Sequence, residues 1–150
     1  MPDDLVINGD SVRLTRTLPY PRELVFEAWT DPSRLAQWWG CKQTHSVTAE
    51  SERRPGGAVR YIMHMDHGDV ICEGVYEEFE RPAKIVTRCT MGGGSPYEFE
   101  STTTVQFIEH EGGTRIELEQ VGLPPMPDCG DIVGGGLTES LEKLNAHLAS

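Results

Sequence analysis

Positive charge is scarce in this chain. Its 150 residues include 13 Lys and Arg against 24 Asp and Glu, for a formal net charge of −11, and the basic residues never form a run. Binding to a phosphate backbone is largely cation-driven, so nucleic acid is excluded as the main partner. Long apolar runs are missing too: 37% of the residues are hydrophobic, and no stretch approaches the roughly 20 apolar residues of a spanning helix. The opening MPDDLVINGD has neither the basic start nor the apolar stretch of a secretory signal, so a cytoplasmic location is expected. Cys41, Cys72, Cys89 and Cys129 form no CxxC pair and are expected to remain reduced, behaving as small hydrophobes. No GxSxG, HExxH or P-loop is present, nor a GxGxxG followed by a helix, which argues against hydrolase, metalloprotease and nucleotide-fold readings.

What is there has the patterning of one α+β domain over residues 1–150, with residues 1–10 expected as a flexible lead. Val12, Leu14 and Leu18 alternate with Arg13, Thr15 and Thr17, as a half-buried strand requires. Pro21 can open a helix carrying Leu24, Val25, Ala28 and Trp29 on one face. Asp31-Pro32 repeats the start signal for a second short helix with Leu35, Trp38 and Trp39, closed by Gly40. From His45 the pattern becomes strands and turns: Ser46 to Glu52, Val59 to Met65, a tight turn at His67-Gly68-Asp69, Val70 to Glu80, and Lys84 to Met91. Then Tyr97, Phe99, Ser101, Thr103, Val105 and Phe107 share one strand face, and Ile116 and Leu118 oppose Arg115, Glu117 and Glu119 after Gly112-Gly113. Val133, Leu137, Leu141, Leu144 and Leu148 recur at helical spacing, predicting a long amphipathic helix over the dry face of the sheet.

Arg16 with Leu18, the run Pro21-Arg22-Glu23-Leu24-Val25-Phe26-Glu27-Ala28-Trp29-Thr30-Asp31-Pro32, Leu35 and Trp38-Trp39-Gly40 form an opening signature. Arg54-Pro55-Gly56-Gly57, Glu73-Gly74-Val75-Tyr76, Gly112 to Ile116 and the closing helix follow in order. Together they resemble the activator of heat-shock-protein-90 ATPase homologue-like family of the START-like, or SRPBCC, superfamily. That resemblance implies a helix-grip fold: a curved antiparallel sheet of about six or seven strands wrapped around a long C-terminal helix, with two short helices after strand one and an apolar pocket between sheet and helix. One departure stands out, because relatives often have a Trp after the glycine opening the last helix, whereas Gly134-Gly135-Gly136 here precede Leu137. Three glycines weaken a helical start and remove volume, so a wider or more mobile pocket mouth is expected.

The residues expected to face the pocket are Trp38, Trp39, Tyr61, Met63, Tyr76, Phe99, Thr103, Leu118, Leu137 and Leu141, with ordinary core packing as the competing role for each. Arg16 shares the parity of Leu14 and Leu18, and is either a cationic anchor for an anionic ligand group or one half of an ion pair. His64, Asp66, His67, Asp69 and Cys72 crowd one hairpin, but turn chemistry explains their polarity and no metal site is assigned. Neither a catalytic residue nor a cofactor is assigned. The leading expectation is a non-enzymatic domain holding a small hydrophobic or amphipathic molecule, as a monomer or weak homodimer, in a stress or housekeeping context. A co-chaperone-like module docking on a heat-shock chaperone ATPase is the alternative, and a cyclase-like or aromatase-like enzyme using the same pocket is the second.

Overall fold

The computed structural model describes residues 4–66, 68–92, 98–124 and 129–149. Eight strands form one antiparallel sheet: β1 (Asp4–Asn8), β2 (Ser11–Leu18), β3 (Thr44–Ser51), β4 (Ala58–Met65), β5 (Gly68–Glu80), β6 (Lys84–Met91), β7 (Phe99–His110) and β8 (Gly113–Val121). Their spatial order is β1-β2-β8-β7-β6-β5-β4-β3. Helices α1 (Arg22–Thr30) and α2 (Pro32–Leu35) carry the chain from β2 to β3 at the far edge, and α3 (Cys129–Ala149) closes it.

The sheet thus has eight strands rather than six or seven, and the short helices follow strand two. The difference lies at the N-terminus, where Asp4–Asn8, expected as a flexible lead, pair with Ser11 to Thr15. Leu5 stands opposite Leu14 and Ile7 opposite Val12, so the added edge strand extends the inner apolar row outward. The turn expected at His67-Gly68-Asp69 is shifted, since Met65 pairs with Gly68 and His64 with Asp69. His67 lies outside the described residues, as does Tyr97.

Capping explains the entry of the two short helices. Pro21 is the N-cap of α1 rather than its first helical residue, and its carbonyl accepts from the N–H groups of Leu24 and Val25 at 3.0 and 3.1 Å. The Asp31 carboxylate accepts from the Ser33 N–H at 3.0 Å and the Ser33 hydroxyl at 2.8 Å, with Pro32 at the first helical position. Those bonds hold the Asp31 carboxyl below its ordinary value. Regular helix stops at Leu35, although the Trp39 N–H still bonds the Leu35 carbonyl at 3.0 Å. Gly40, at φ 101°, then turns the chain toward β3 in a conformation that favours glycine.

The core lies between the inner face of the sheet, α1 and α3. Register places Leu14, Leu118 and Val105 side by side across β2, β8 and β7, with Ile116 and Phe107 in the next row. From the helices come Val25, Phe26, Trp29, Leu137, Leu141 and Leu144, all buried. Phe107 meets Phe26 and Trp29 edge to face at 5.2 and 5.6 Å, a favoured aromatic geometry. Arg53 and Arg81 both pair with the Glu27 carboxylate, tying α1 to the loops after β3 and β5.

Candidate functional site

The inner face is not filled along its whole length. A cavity of about 210 Å³ lies where β4, β6 and β7 face the first half of α3. Tyr61, Met63 and Met65 reach it from β4, and Ile85, Thr87, Cys89 and Met91 from β6. Thr103 and Val105 on β7 and Gln120 on β8 form the floor. Opposite them stand Ile132, Val133, Gly136, Leu137 and Ser140 of α3, while Trp29, Trp39, Gly40 and Cys41 close one end. Alternation explains this set, because Ile85, Thr87, Cys89 and Met91 are every second residue of β6 and pair in turn with Val105, Thr103, Ser101 and Phe99.

Of the residues expected at the pocket, Trp39, Tyr61, Met63, Thr103 and Leu137 line the cavity. Trp38, Tyr76, Phe99, Leu118 and Leu141 do not. Trp38 is fully buried, its indole N–H donates to the Ala28 carbonyl at 2.9 Å, and its ring packs on Trp29 at 5.0 Å. Tyr76 shares a hydrogen bond with Ser51 at 2.9 Å and meets Phe79 edge to face at 5.0 Å, which holds it in the core. Leu118 and Leu141 are buried in the packed core and Phe99 lies against it. Arg16 is half-buried on the inward parity of β2 opposite Ile116, outside the cavity lining. The hairpin donors divide between the faces: His64 bonds Asp69 at 2.9 Å and Thr48 at 2.8 Å, while Cys72 is buried with the inner row.

Sequence reasoning missed the contribution of β6. Its alternation was visible, but Thr87 and Cys89 are small and read as ordinary strand residues. They belong to a polar row crossing an otherwise apolar surface. Gln120 donates to the Ser101 hydroxyl at 2.9 Å, Ser101 stands opposite Cys89 in the strand register, and the Cys72 thiol lies 2.9 Å from the Cys89 sulfur. Tyr61 completes the row as the register partner of Cys72. Burial pushes the Tyr61 phenol well above its ordinary value. The bond to Cys89, with burial, likewise raises the Cys72 thiol, whereas the bond from Cys72 lowers that of Cys89. Gly74 makes the close approach possible: a β-carbon there would stand 2.1 Å from the Arg88 carbonyl oxygen and 2.5 Å from the Cys89 β-carbon.

The mouth is built from α3 and the segment after α2. Ser140 Oγ accepts from the Gly40 N–H at 3.1 Å, and its one hydroxyl proton is shared between the Gly40 and Gly136 carbonyls at 3.0 and 2.9 Å. Contrary to the expected weak start, α3 runs unbroken through Gly134, Gly135 and Gly136. Packing of Leu137, Leu141 and Leu144 outweighs the glycine penalty. The volume the glycines lack is still felt, since Gly136 lines the cavity. Ile132, 72% exposed, stands beside this opening. Trp39, at 8% exposure, packs on Tyr61 at 5.1 Å, and its buried indole N–H has no hydrogen-bond partner among the described residues.

A larger concavity, about 900 Å³, lies on the outer face of β3 to β6 and includes Glu50, Glu52, Arg60, Glu73 and Glu98. Its charged border is solvated, and Arg60 and Glu73 pair at 3.2 Å, so the largely apolar inner cavity is the better candidate for holding a small molecule.

One eight-stranded antiparallel sheet with a C-terminal helix packed on it places the molecule in the START-like, or SRPBCC, fold class. The family described as activator of Hsp90 ATPase homolog 1-like protein matches residues 19–149, and the chain belongs to it. Solved structures agree on the fold. A protein of Arthrobacter aurescens superposes with a TM-score of 0.84 at 19% identity, covering 97% of this chain and 91% of its own. One from Mycobacterium smegmatis gives 0.81 at 22% identity over 99% and 98% of the two chains. One from Chromobacterium violaceum gives 0.78 at 24% identity over 91% and 95%. None of the curated proteins compared with the chain matches it.

Proposed function

We propose that this domain holds a small, largely apolar and uncharged molecule between the inner face of its sheet and α3. The observation carrying this reading is the cavity of about 210 Å³ whose apolar walls hold a few polar groups. Those groups are the hydroxyls of Tyr61, Thr87, Thr103 and Ser140, the Gln120 amide and the thiols of Cys41 and Cys89. Neutral hydrogen-bonding groups in an apolar enclosure favour a neutral ligand, because a buried charge without a partner is costly. The volume falls below the roughly 300–1,000 Å³ of drug-sized pockets, which favours one or two fused rings or a short acyl chain. The three Met side chains, Met63, Met65 and Met91, adapt their shape to such a guest.

Native mass spectrometry of freshly purified protein tests this reading. The expected result is an adduct that disappears on denaturation and is recovered as an apolar compound by extraction. Met63→Trp, which places a larger ring in the same space, is expected to abolish the adduct while leaving the fold intact. A clean apo mass, together with no saturable uptake of a hydrophobic fluorophore, would overturn it.

The co-chaperone reading rests on a different surface. The outer concavity with Glu50, Glu52, Glu73 and Glu98, on a chain of net charge −11, fits a basic patch on a protein partner. Charge reversal of Glu50 and Glu52 tests it by weakening capture of a chaperone ATPase without changing cavity occupancy.

A further inference from the structure

The polar row across the inner face has a direction. Gln120 donates to Ser101, Cys72 donates its S–H to Cys89, and Ser101 is the register partner of Cys89 on the other side, so Cys89 sits between two polar neighbours. Cys89 alone of the two thiols lines the cavity, while Cys72 lies behind it, 1% exposed. The strands hold the sulfurs together: Cys72 pairs with Met91 and Gly74 with Cys89, making the two cysteines diagonal neighbours on one face. Among the described residues no group of three donors of the kind that holds a metal ion includes them, and both are free thiols. An apolar wall needs no such pair, and two small aliphatic side chains would pack there with fewer polar atoms to satisfy.

We infer that Cys89 and Cys72 form a peroxide-reactive dithiol, with Cys89 the attacking thiol at the cavity wall and Cys72 the resolving thiol behind it. The substrate class is a hydroperoxide small enough for the cavity, either hydrogen peroxide or a short organic hydroperoxide. In the first step the Cys89 thiolate attacks one peroxide oxygen. An S–O bond forms, the O–O bond breaks, and the departing alkoxide or hydroxide takes a proton to leave as alcohol or water. In the second step the Cys72 sulfur attacks the sulfenic sulfur of Cys89, an S–S bond replaces the S–O bond, and hydroxide leaves as water with the proton from Cys72. Two thiols are oxidised by two electrons and one peroxide is reduced. The lowered thiol of Cys89 and the raised one of Cys72 agree with this division of roles.

Peroxide titration of the reduced, ligand-free, folded protein tests the pair, with a Cys41→Ser/Cys129→Ser background as control. The expected result is loss of the mass of two hydrogens and of two titratable thiols, with a peptide map joining residues 72 and 89. Cys72→Ser should stop at a sulfenic acid on residue 89 that dimedone traps, and Cys89→Ser should abolish the reaction. Ser101→Ala leaves both thiols but removes one neighbour of Cys89. It should move the pH profile of oxidation upward, so that the reaction is slower on the acid side. Four reduced thiols after native oxidation, a 72–89 link formed only after denaturation, or Cys89→Ser reacting as fast as the parent would each overturn the inference. Wild-type mass and mapping data decide the matter even if a variant fails to fold. An unreactive pair leaves ligand holding intact, and an empty cavity leaves the thiol chemistry intact.

Discussion

The two ends of the inner face are lined by the same sheet and the same closing helix, yet one is solid and the other hollow. At the solid end Phe26, Trp29, Trp38 and Phe107 interlock with ring centroids 5.0 to 5.6 Å apart, and Leu141 and Leu144 seal them from the helix side. At the hollow end the inward positions are Met63, Thr87, Cys89, Met91 and Thr103, and the helix presents Gly136 and Ser140. Side-chain volume therefore decides which stretch of one sheet face becomes core and which becomes a chamber. The backbone pattern is continuous across both.

The largest expected effect breaks the solid end. Phe107→Ala removes a ring that meets Phe26 and Trp29, and should cost about 3–5 kcal/mol in a denaturant titration. Thr103→Ala, on the same strand but over the cavity, should cost less than about 1 kcal/mol because little packing is lost. Equal losses at the two positions would mean that both ends are packed alike.

This contrast also marks how far the sequence could be read. Strand β6, Lys84–Met91, has the expected limits, and β7, β8 and α3 were visible from clean alternation or helical spacing. Strand β1 was not, because Leu5, Val6 and Ile7 are consecutive apolar residues on an exposed edge and show no period of two. At the site, alternation identifies the face of a strand but not the depth along it. Leu118 and Thr103 both face inward, yet Leu118 is packed in the core while Thr103 lies over the cavity. Arg16 shows the same limit, facing inward on β2 but outside the cavity lining. The row from Tyr61 to Gln120 crosses five consecutive strands, β4 to β8, and its residues come together only through the pairing register.

A smaller effect tests how the hollow end is held open. Ser140→Ala deletes the hydroxyl that bonds both backbone groups of Gly40. It leaves a buried N–H without its partner, and should cost about 2 kcal/mol. The same change should loosen the end of the cavity near Gly40, read as faster amide exchange there with the Phe26 and Phe107 cluster still protected.

Asp31 serves the solid end from outside, by starting the helix that leads to Trp38 and Trp39. Asp31→Ala should cost about 1 kcal/mol at neutral pH. Because the folded state lowers the Asp31 carboxyl from its ordinary 3.8, its contribution is full above that value and fades as pH falls through the folded-state value. Parent and variant should therefore converge in stability in acid, as followed by thermal melts at a series of pH values.

The smallest effect reverses sign and sharpens the comparison at the helix itself. A β-carbon at Gly135 meets nothing within 4 Å, and one at Gly136 comes only to 3.9 Å of the Cys41 β-carbon. Gly135→Ala should thus stabilise the fold by up to about 1 kcal/mol without touching the cavity, since alanine is the better helix former. Gly136→Ala should give a similar gain in stability but weaken ligand holding, because its methyl group enters at the cavity wall. At Gly134 the added carbon would meet the Leu5 side chain at 3.1 Å, so the gain there depends on how far that flexible chain on the edge strand moves aside. If Gly135→Ala and Gly136→Ala change ligand affinity equally, helix stiffness rather than open volume governs the chamber.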